Sequence, residues 1–435
     1  MNMPINFDKA QKEIIATALE EHSGKAMRRR ILGCAGTGKT TVIAYCAREL
    51  AKRGKRVLVC CYNKTLIPYI DSMIGLDCSA YQPRKMGLLR VTNYHAFMFH
   101  FILDYNGKNQ NASDIDLFRK KEYFEKEDSD GFLLPEKYNN FAKNCYDYIF
   151  VDEMQDLKPT AVPNLIKFLP TDEGSSHYIG ALFVFADKYQ KIYDKNEFEK
   201  EDNGQDISIV PKIPKGCGFS GTWKRLKESH RSNSKIQRKA RLFAKKHLTS
   251  KYGKEEHALI GDIIDSNIIY YEQGWDYQID IKKLISKILQ KSGWDVKNTA
   301  VLFSTKQEVC EYVKHVKSCG ENAISTNECG KQEDELRRRF YLSSSHLKIS
   351  TVKSFKGLEI DNIILVIDVT INLPIIETEE LYVGLTRAKR NLAIINNNIE
   401  FFKCLNEIYG EYMKPTPEEC RQYRQEAVIT KEPIF

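Results

Sequence analysis

Gly33-Cys34-Ala35-Gly36-Thr37-Gly38-Lys39-Thr40 decides the fold of this 435-residue chain. The octapeptide has the form G-x-x-x-x-G-K-[ST]. It follows an apolar stretch at Ile31 and opens a helix-like run over 41–50. Strand, glycine loop and helix in that order make a phosphate cradle. Glycines let backbone N–H groups curl around the β- and γ-phosphates, and the start of the helix adds partial positive charge. Gly33, Gly36 and Gly38 would shape the loop, and Thr41 would carry it into the helix. Lys39 would set an ammonium beside the transferred phosphoryl group, and the Thr40 hydroxyl would hold Mg²⁺. ATP with Mg²⁺ is the expected ligand.

Such a loop needs a metal-side carboxylate at the end of a neighbouring strand. Tyr148-Ile149-Phe150-Val151-Asp152-Glu153 supplies one. The apolar residues carry the chain through a sheet, and Asp152 emerges at the carboxyl edge, where open α/β sheets bind ligands. Asp152 would hold Mg²⁺, and Glu153 would polarise the attacking water as general base.

The surrounding chain has the strand–helix rhythm of parallel sheets, twice. Short apolar, β-branched runs occur at 30–32, 56–61, 148–151 and 182–185, and again at 300–303, 347–350, 363–367 and 392–395. Continuous apolar strands fit sheets covered on both faces. The expected fold is α/β: two RecA-like P-loop NTPase lobes with mainly parallel sheets, residues 1–222 and 223–435. The stretch 194–221, rich in charge, Gly and Pro, is read as the link between them. A polar stretch at 104–144 is read as a small helical insertion in the first lobe. The tail after Glu411 is read as a helix and a loose end.

Composition sets wide limits. Apolar residues make up 42% and charged residues 29%, an ordinary globular balance. The net charge of +8 permits a polyanionic partner without requiring one. No run of about 18 apolar residues predicts a membrane helix, and the first residues lack the apolar core of a secretory signal. The twelve cysteines form no Cys-x-x-Cys pair, so reduced thiols in a cytoplasmic setting are expected.

Asp152-Glu153-Met154-Gln155-Asp156 resembles the D-E-x-Q-D signature of superfamily 1 helicases of the UvrD/Rep kind. Other segments resemble that family's motifs in order. Phe7-Asp8-Lys9-Ala10-Gln11 is similar to the adenine-reading segment. Val57 to Lys64 (VLVCCYNK) and Val91-Thr92-Asn93-Tyr94-His95 are similar to strand-binding segments. Asp187-Lys188-Tyr189-Gln190-Lys191-Ile192-Tyr193 resembles D-x-x-Q-x-I-Y, and Ser229-His230-Arg231-Ser232 the Tyr-Arg-Ser motif. Thr351 to Glu359 (TVKSFKGLE) resembles T-x-H-S-x-K-G-L-E. Tyr382 to Lys389 (YVGLTRAK) resembles Y-V-A-L-T-R-A-K.

The resemblance implies an ATP-dependent helicase or translocase moving 3′ to 5′ on single-stranded or tailed DNA. It implies that Gln11 and His230 face adenine, Glu359 the ribose, and Gln190 the γ-phosphate. Arg231 and Arg387 would bring charge to the γ-phosphate of an ATP held between two lobes, an effect worth about 10³–10⁵ in rate. Arg387 is expected on a helix over 378–390, and Arg231 at the start of another. The nucleic-acid track would take Asn63, Lys64, Thr92, Tyr94 and His95 from one lobe, and Thr351, Ser354 and Lys356 from the other.

The chain departs from the family in three places. After Tyr193 it reads Asp194-Lys195-Asn196-Glu197, without the usual stacking aromatic, which leaves Tyr189, Tyr193 or Phe198 as substitutes. His230 stands where the family has Tyr. The stretch 317–350 leaves no room for the accessory domain of larger members. These departures motivate a second reading, an ATP-gated nucleic-acid sensor or regulatory subunit of a partner nuclease. A small-molecule kinase or GTPase would leave the segments around Lys356 and Arg387 unexplained, and Asn63-Lys64 lacks the Asp of a guanine-reading motif because residue 66 is Leu.

Overall fold

The computed structural model describes residues 6–20, 24–75, 87–109, 133–172, 177–193, 198–202, 207–230, 234–253, 258–259, 265–272, 281–367 and 377–413. The chain divides into two compact units, Met1–His230 with Thr249–Ile260, and Arg231–Leu248 with Gly261–Phe435.

The first unit begins with helix α1 (Lys9–Leu19). Then follow β1 (Ala26–Gly33), α2 (Lys39–Lys52), β2 (Val57–Cys61), α3 (Leu66–Ile74), β3 (Leu89–Asn93), α4 (Tyr94–Asn109), β4 (Tyr148–Asp152) and β5 (Gly180–Ala186). After these come β6 (Phe198–Asp202), β7 (Ile207–Pro211), β8 (Lys224–Leu226), β9 (Glu228–Ser229) and β10 (Ala258–Leu259). The main sheet has the order β3-β2-β4-β5-β1-β8, every pair parallel. All five residues of β2 and of β4 are buried, as a sheet covered on both faces requires. Helices and loops close over a core that includes Leu58, Ile149, Val151, Leu182 and Val184. Each such side chain contributes about 1.5–3 kcal/mol on burial.

The second unit holds β11 (Asn267–Glu272), β12 (Thr299–Phe303), β13 (Ala323–Ser325), β14 (Leu347–Thr351), β15 (Ile360–Ile367) and β16 (Ala388–Asn396). Their order is β11-β16-β15-β12-β14-β13, again all parallel. Val301, Ile349, Ile364, Val366 and Ala393 form its core with Val309 and Val313 of the helix Lys306–Ser318. Two α/β units with parallel sheets match the expected RecA-like architecture. No helix among the described residues is long and apolar enough to cross a membrane.

Several local expectations change. The stretch 194–221 does not read as a bare link: β6 and β7 form an antiparallel hairpin. Glu201 of that hairpin accepts from the Trp223 N–H and pairs with Arg30 and Arg225, which fastens it to the first unit. β8, just past the boundary placed near residue 222, pairs with β1 beside the glycine loop. Three residues with two charges gave it no apolar signal.

Within the polar stretch 104–144, residues 110–132 lie outside the described residues. Leu134, Tyr138 and Ala142 belong to the first unit's core. Tyr138 packs on Tyr105 with ring centroids 4.4 Å apart. The helix expected over 378–390 spans Thr378–Leu385, and β16 begins at Ala388. Thr386 Oγ1 donates to the carbonyls of Tyr382 (3.0 Å) and Val383 (2.9 Å), and Arg387 Nε donates to Val383 O (2.9 Å). These side chains satisfy the last carbonyls and stop the helix. The tail beyond residue 413 lies outside the described residues.

Candidate functional site: the phosphate loop and the strand ends beside it

β1 delivers Gly33 to the carboxyl edge of the sheet, and α2 begins at Lys39. Between them the loop needs backbone that only glycine adopts without strain: Gly36 has φ +82° and Gly38 φ +75°. Space is equally tight. A Cβ on Gly33 would lie 2.4 Å from Thr37 Oγ1, and one on Gly38 2.5 Å from Gln11 Nε2. The loop is therefore shaped around small residues at the start of a helix, the setting that suits a phosphate group.

Lys39 is buried and folds back over the loop. Its Nζ donates to Gly33 O at 2.7 Å and Cys34 O at 3.2 Å and lies 3.6 Å from Asp187 Oδ2. Burial lowers its pKa, but the carboxylates of Asp187, Glu153 and Asp152 outweigh that and hold the ammonium above its ordinary range. Thr40 Oγ1 donates to Asp152 Oδ2 at 2.7 Å, joining the start of α2 to the end of β4. Burial, and then the Glu153 carboxylate, push Asp152 up to about 6, against the Thr40 hydrogen bond and Lys39. A hard cation would be held by this pair, the oxygen donors that suit Mg²⁺. Thr41 continues α2 behind it.

Glu153 is one of two non-glycine residues with positive φ among the described residues, at φ +54°, ψ +45°. A left-handed turn directly after a strand costs energy and clusters at functional sites. It re-aims the chain so that Glu153 leaves the sheet edge beside Asp152. Gln155 Nε2 donates to Glu153 Oε2, and Gln155 Oε1 accepts the Asp187 N–H at 3.0 Å. Gln155 thus ties the end of β4 to the end of β5. Asp187 in turn accepts from the Tyr189 N–H (3.0 Å) and Gln190 Nε2 (2.8 Å). Sequence reading assigned no role to Gln155 or Asp187. The D-E-x-Q-D and D-x-x-Q strings contained them, but only the fold shows that they bridge adjacent strands.

The strand order explains this convergence. β5 lies between β1 and β4, so Asp187 emerges between Lys39 and Asp152. Removing the Gln155 amide is expected to loosen Glu153 and orphan the buried Asp187 N–H. Gln155→Ala should be less stable by about 1–3 kcal/mol. It should also lose turnover more than ATP affinity, read by steady-state phosphate release.

In the segment expected to read adenine, Asp8 caps α1. Its side chain accepts the Gln11 N–H at 2.8 Å, and Gln11 Oε1 accepts the Asp8 N–H at 3.0 Å, a reciprocal capping box. Gln11 Nε2 also donates to Thr37 O at 3.0 Å, so the residue expected to read the base braces the phosphate loop as well. His230 joins here: its N–H donates to Gly36 O (2.9 Å), and its Nε2 lies 2.7 Å from Asp8 Oδ2. Arg231 lies outside the described residues.

The expected nucleic-acid residues of the first unit divide. Asn63 is buried and its Oδ1 accepts the Thr65 N–H (3.3 Å) and hydroxyl (2.9 Å), which orders the turn carrying Lys64. Thr92 is buried, and its hydroxyl donates to Asn93 O. Tyr94 differs from expectation. Its ring is in the core, its hydroxyl accepts from Asn164 Nδ2 at 2.8 Å, and burial raises its pKa; it anchors α4. His95 and Tyr193 are half-buried, and both pack on Tyr62, with centroids 5.5 Å and 4.5 Å away. Of the substitutes considered for the absent aromatic, Tyr189 is buried with its hydroxyl on Gly253 O, and Phe198 packs on Tyr252. Tyr193 joins the group at the strand ends.

In the second unit, Thr351 Oγ1 accepts the Ser354 N–H at 3.1 Å, capping the short helix Val352–Phe355. Thr351 and Ser354 are almost wholly covered, as is Lys356, and Glu359 is half-buried just before β15. Arg387 does not lie on a helix. It sits in the turn before β16, fully packed, with Nε on Val383 O (2.9 Å), Nη2 on Thr386 Oγ1 (2.9 Å) and Nη1 toward Leu358 O (3.4 Å).

Comparison with known families adds two findings. Residues 11–196 match the model of a family described as an AAA domain. Residues 275–396 match one described as a viral superfamily 1 RNA helicase core domain. No curated protein matches the chain. With one match over each unit, the phosphate loop and two parallel-sheet units support a superfamily 1 helicase, of the class that couples nucleotide hydrolysis to nucleic acid.

Proposed function

We propose that the chain is an ATP-dependent motor of the UvrD/Rep kind that moves 3′ to 5′ along single-stranded DNA. The coupling in this reading is supported by the continuous set of contacts from the phosphate loop to an aromatic group at the strand ends, while DNA and the 3′ to 5′ direction rest on the motif resemblance. Lys39 faces Asp187, Asp187 accepts from Gln190, the Ile192 N–H donates to Gln190 O, and Tyr193 packs on Tyr62 beside His95. A change at the γ-phosphate side has a short physical route to a surface on which bases could stack.

In this reading Gly33, Gly36, Gly38, Lys39, Thr40 and Thr41 bind the phosphates, while Gln11 and His230 border the base and Glu359 the ribose. Glu153, aimed by its left-handed turn and by Gln155, takes a proton from the attacking water. Gln190 senses the γ-phosphate. Arg231 and Arg387 stabilise charge on it as the bond breaks. Mg²⁺ held by Thr40 and Asp152 would neutralise phosphate charge. Lys64, Thr92 and His95, with Thr351 and Ser354, supply contacts to the sugar–phosphate backbone, which give affinity without sequence preference.

Base stacking is worth about 1–3 kcal/mol per base. Tyr62→Ala and Tyr193→Ala are each expected to weaken binding of an oligodeoxythymidylate by roughly 5- to 150-fold, measured by fluorescence anisotropy. Substrate and direction are tested with duplexes carrying a 3′ or a 5′ single-stranded tail, in DNA and in RNA. ATP-dependent opening of the 3′-tailed DNA supports the proposal. Opening only of RNA, or only of the 5′-tailed duplex, contradicts it.

A further inference from the structure

The segment 351–359 carries two lysines beside the proposed strand contacts, and their settings are opposite. Lys356 is only 1% exposed. The Lys353 side chain is 45% exposed, and its Nζ lies 3.4 Å from Glu380 Oε2. Glu380 is 3% exposed, on the first turn of the helix Thr378–Leu385. Its other oxygen, Oε1, is buried without a hydrogen-bond partner among the described residues. Burial pushes the Glu380 carboxyl up to about 7 against the pull of Lys353, and Glu377 and Glu308 push the same way.

A buried carboxylate with one oxygen unpartnered holds its counter-ion at a desolvation cost. The counter-ion itself reaches solvent. It stands on the first turn after β14, where the Thr351 cap fixes the backbone. That is the carboxyl edge of a parallel sheet, the edge that binds ligands. An ammonium in this setting can trade one anion for another.

We propose that Lys353 is a phosphate contact for a single-stranded nucleic acid, and that Glu380 is the positioning residue that holds it between contacts. The ammonium exchanges the Glu380 carboxylate for a phosphodiester. The exchange rests on the nucleic-acid reading above and adds a site to it. It also links strand occupancy to the helix Thr378–Leu385, whose last carbonyls are held by Thr386 and Arg387.

The test measures binding of the full chain to a fluorescent oligodeoxythymidylate over a range of salt concentrations. Lys353→Gln should weaken binding and reduce the slope of log affinity against log salt by about 1. Lys353→Arg should keep the slope. Glu380→Gln keeps the side-chain shape and removes the competing anion. It should tighten binding by about two- to fivefold, the scale of an ion pair screened through its one exposed partner, and the gain should vanish when combined with Lys353→Gln. Glu380→Gln carries the test even if Lys353→Gln melts early. Wild-type binding together with an unaltered Lys353→Gln slope overturns the exchange alone, as does a Glu380→Gln gain that persists without Lys353. A wild-type chain that binds no oligonucleotide overturns the nucleic-acid reading itself, and the exchange with it.

Discussion

Glu153→Gln is expected to lower kcat for ATP hydrolysis by about 10²–10⁴ while the chain melts no lower than the wild type. The two halves have separate causes. An amide cannot take the proton of the attacking water, so the proposed general base is lost. The tie to Gln155 is kept: the carbonyl oxygen of the introduced amide can still accept from Gln155 Nε2 in place of the present Glu153 oxygen. The change also removes one of the carboxylates crowded around Lys39, the one that pushes on Asp152. The left-handed backbone at this position serves Gln no worse than Glu. Steady-state phosphate release gives kcat, titration with a fluorescent ATP analogue gives affinity, and thermal melting gives stability. Wild-type turnover in this variant would remove Glu153 from the chemistry. Loss of nucleotide binding together with turnover would make it a binding residue instead.

Arg387→Lys is expected to cost about 10³–10⁵ in kcat and to lower the melting temperature as well. The loss of turnover rests on the proposed role of Arg387 at the γ-phosphate, and the loss of stability on its guanidinium geometry. The planar fork ties Val383 O, Thr386 Oγ1 and Leu358 O together at the end of the helix Thr378–Leu385. A lysine cannot hold three such partners from one plane, so buried acceptors are left short of donors at a cost of a few kcal/mol. Stability and catalysis must therefore be read apart. Turnover measured well below the melting temperature, on fully folded protein, isolates the catalytic term. A cold, folded Arg387→Lys with wild-type kcat would leave Arg387 as a structural tie only.

Much of the fold was legible because its signals are local. A strand, a glycine loop and a helix follow one another within residues 26–52, and the apolar runs at β4, β12, β15 and β16 are continuous. What stayed hidden depends on partners distant in sequence. β8 is a strand because β1 offers it an edge, not because its own residues favour one. Tyr138 is core because Tyr105 and Phe101 reach it.

The helix ending at Leu385 stops through side chains of Thr386 and Arg387, which a periodicity argument reads as two more helical positions. At the site, residue types were readable but directions were not. Tyr94 and His95 are neighbours in one motif, yet one turns into the core and the other toward Tyr62. Lys353 and Lys356 divide in the opposite sense to the motif reading. Gln155 and Asp187 were printed in the motifs, but their bridge requires β4 and β5 to be adjacent.

In the proposed motor, nucleic acid governs ATP turnover at the phosphate loop. Phosphate release by the full chain, with ATP and Mg²⁺, is measured with and without a saturating single-stranded oligodeoxythymidylate. Turnover is expected to be slow alone and to rise at least severalfold with the oligonucleotide, and Lys39→Ala to show neither. Turnover that is equally fast without nucleic acid, and indifferent to DNA and RNA alike, would contradict the proposal.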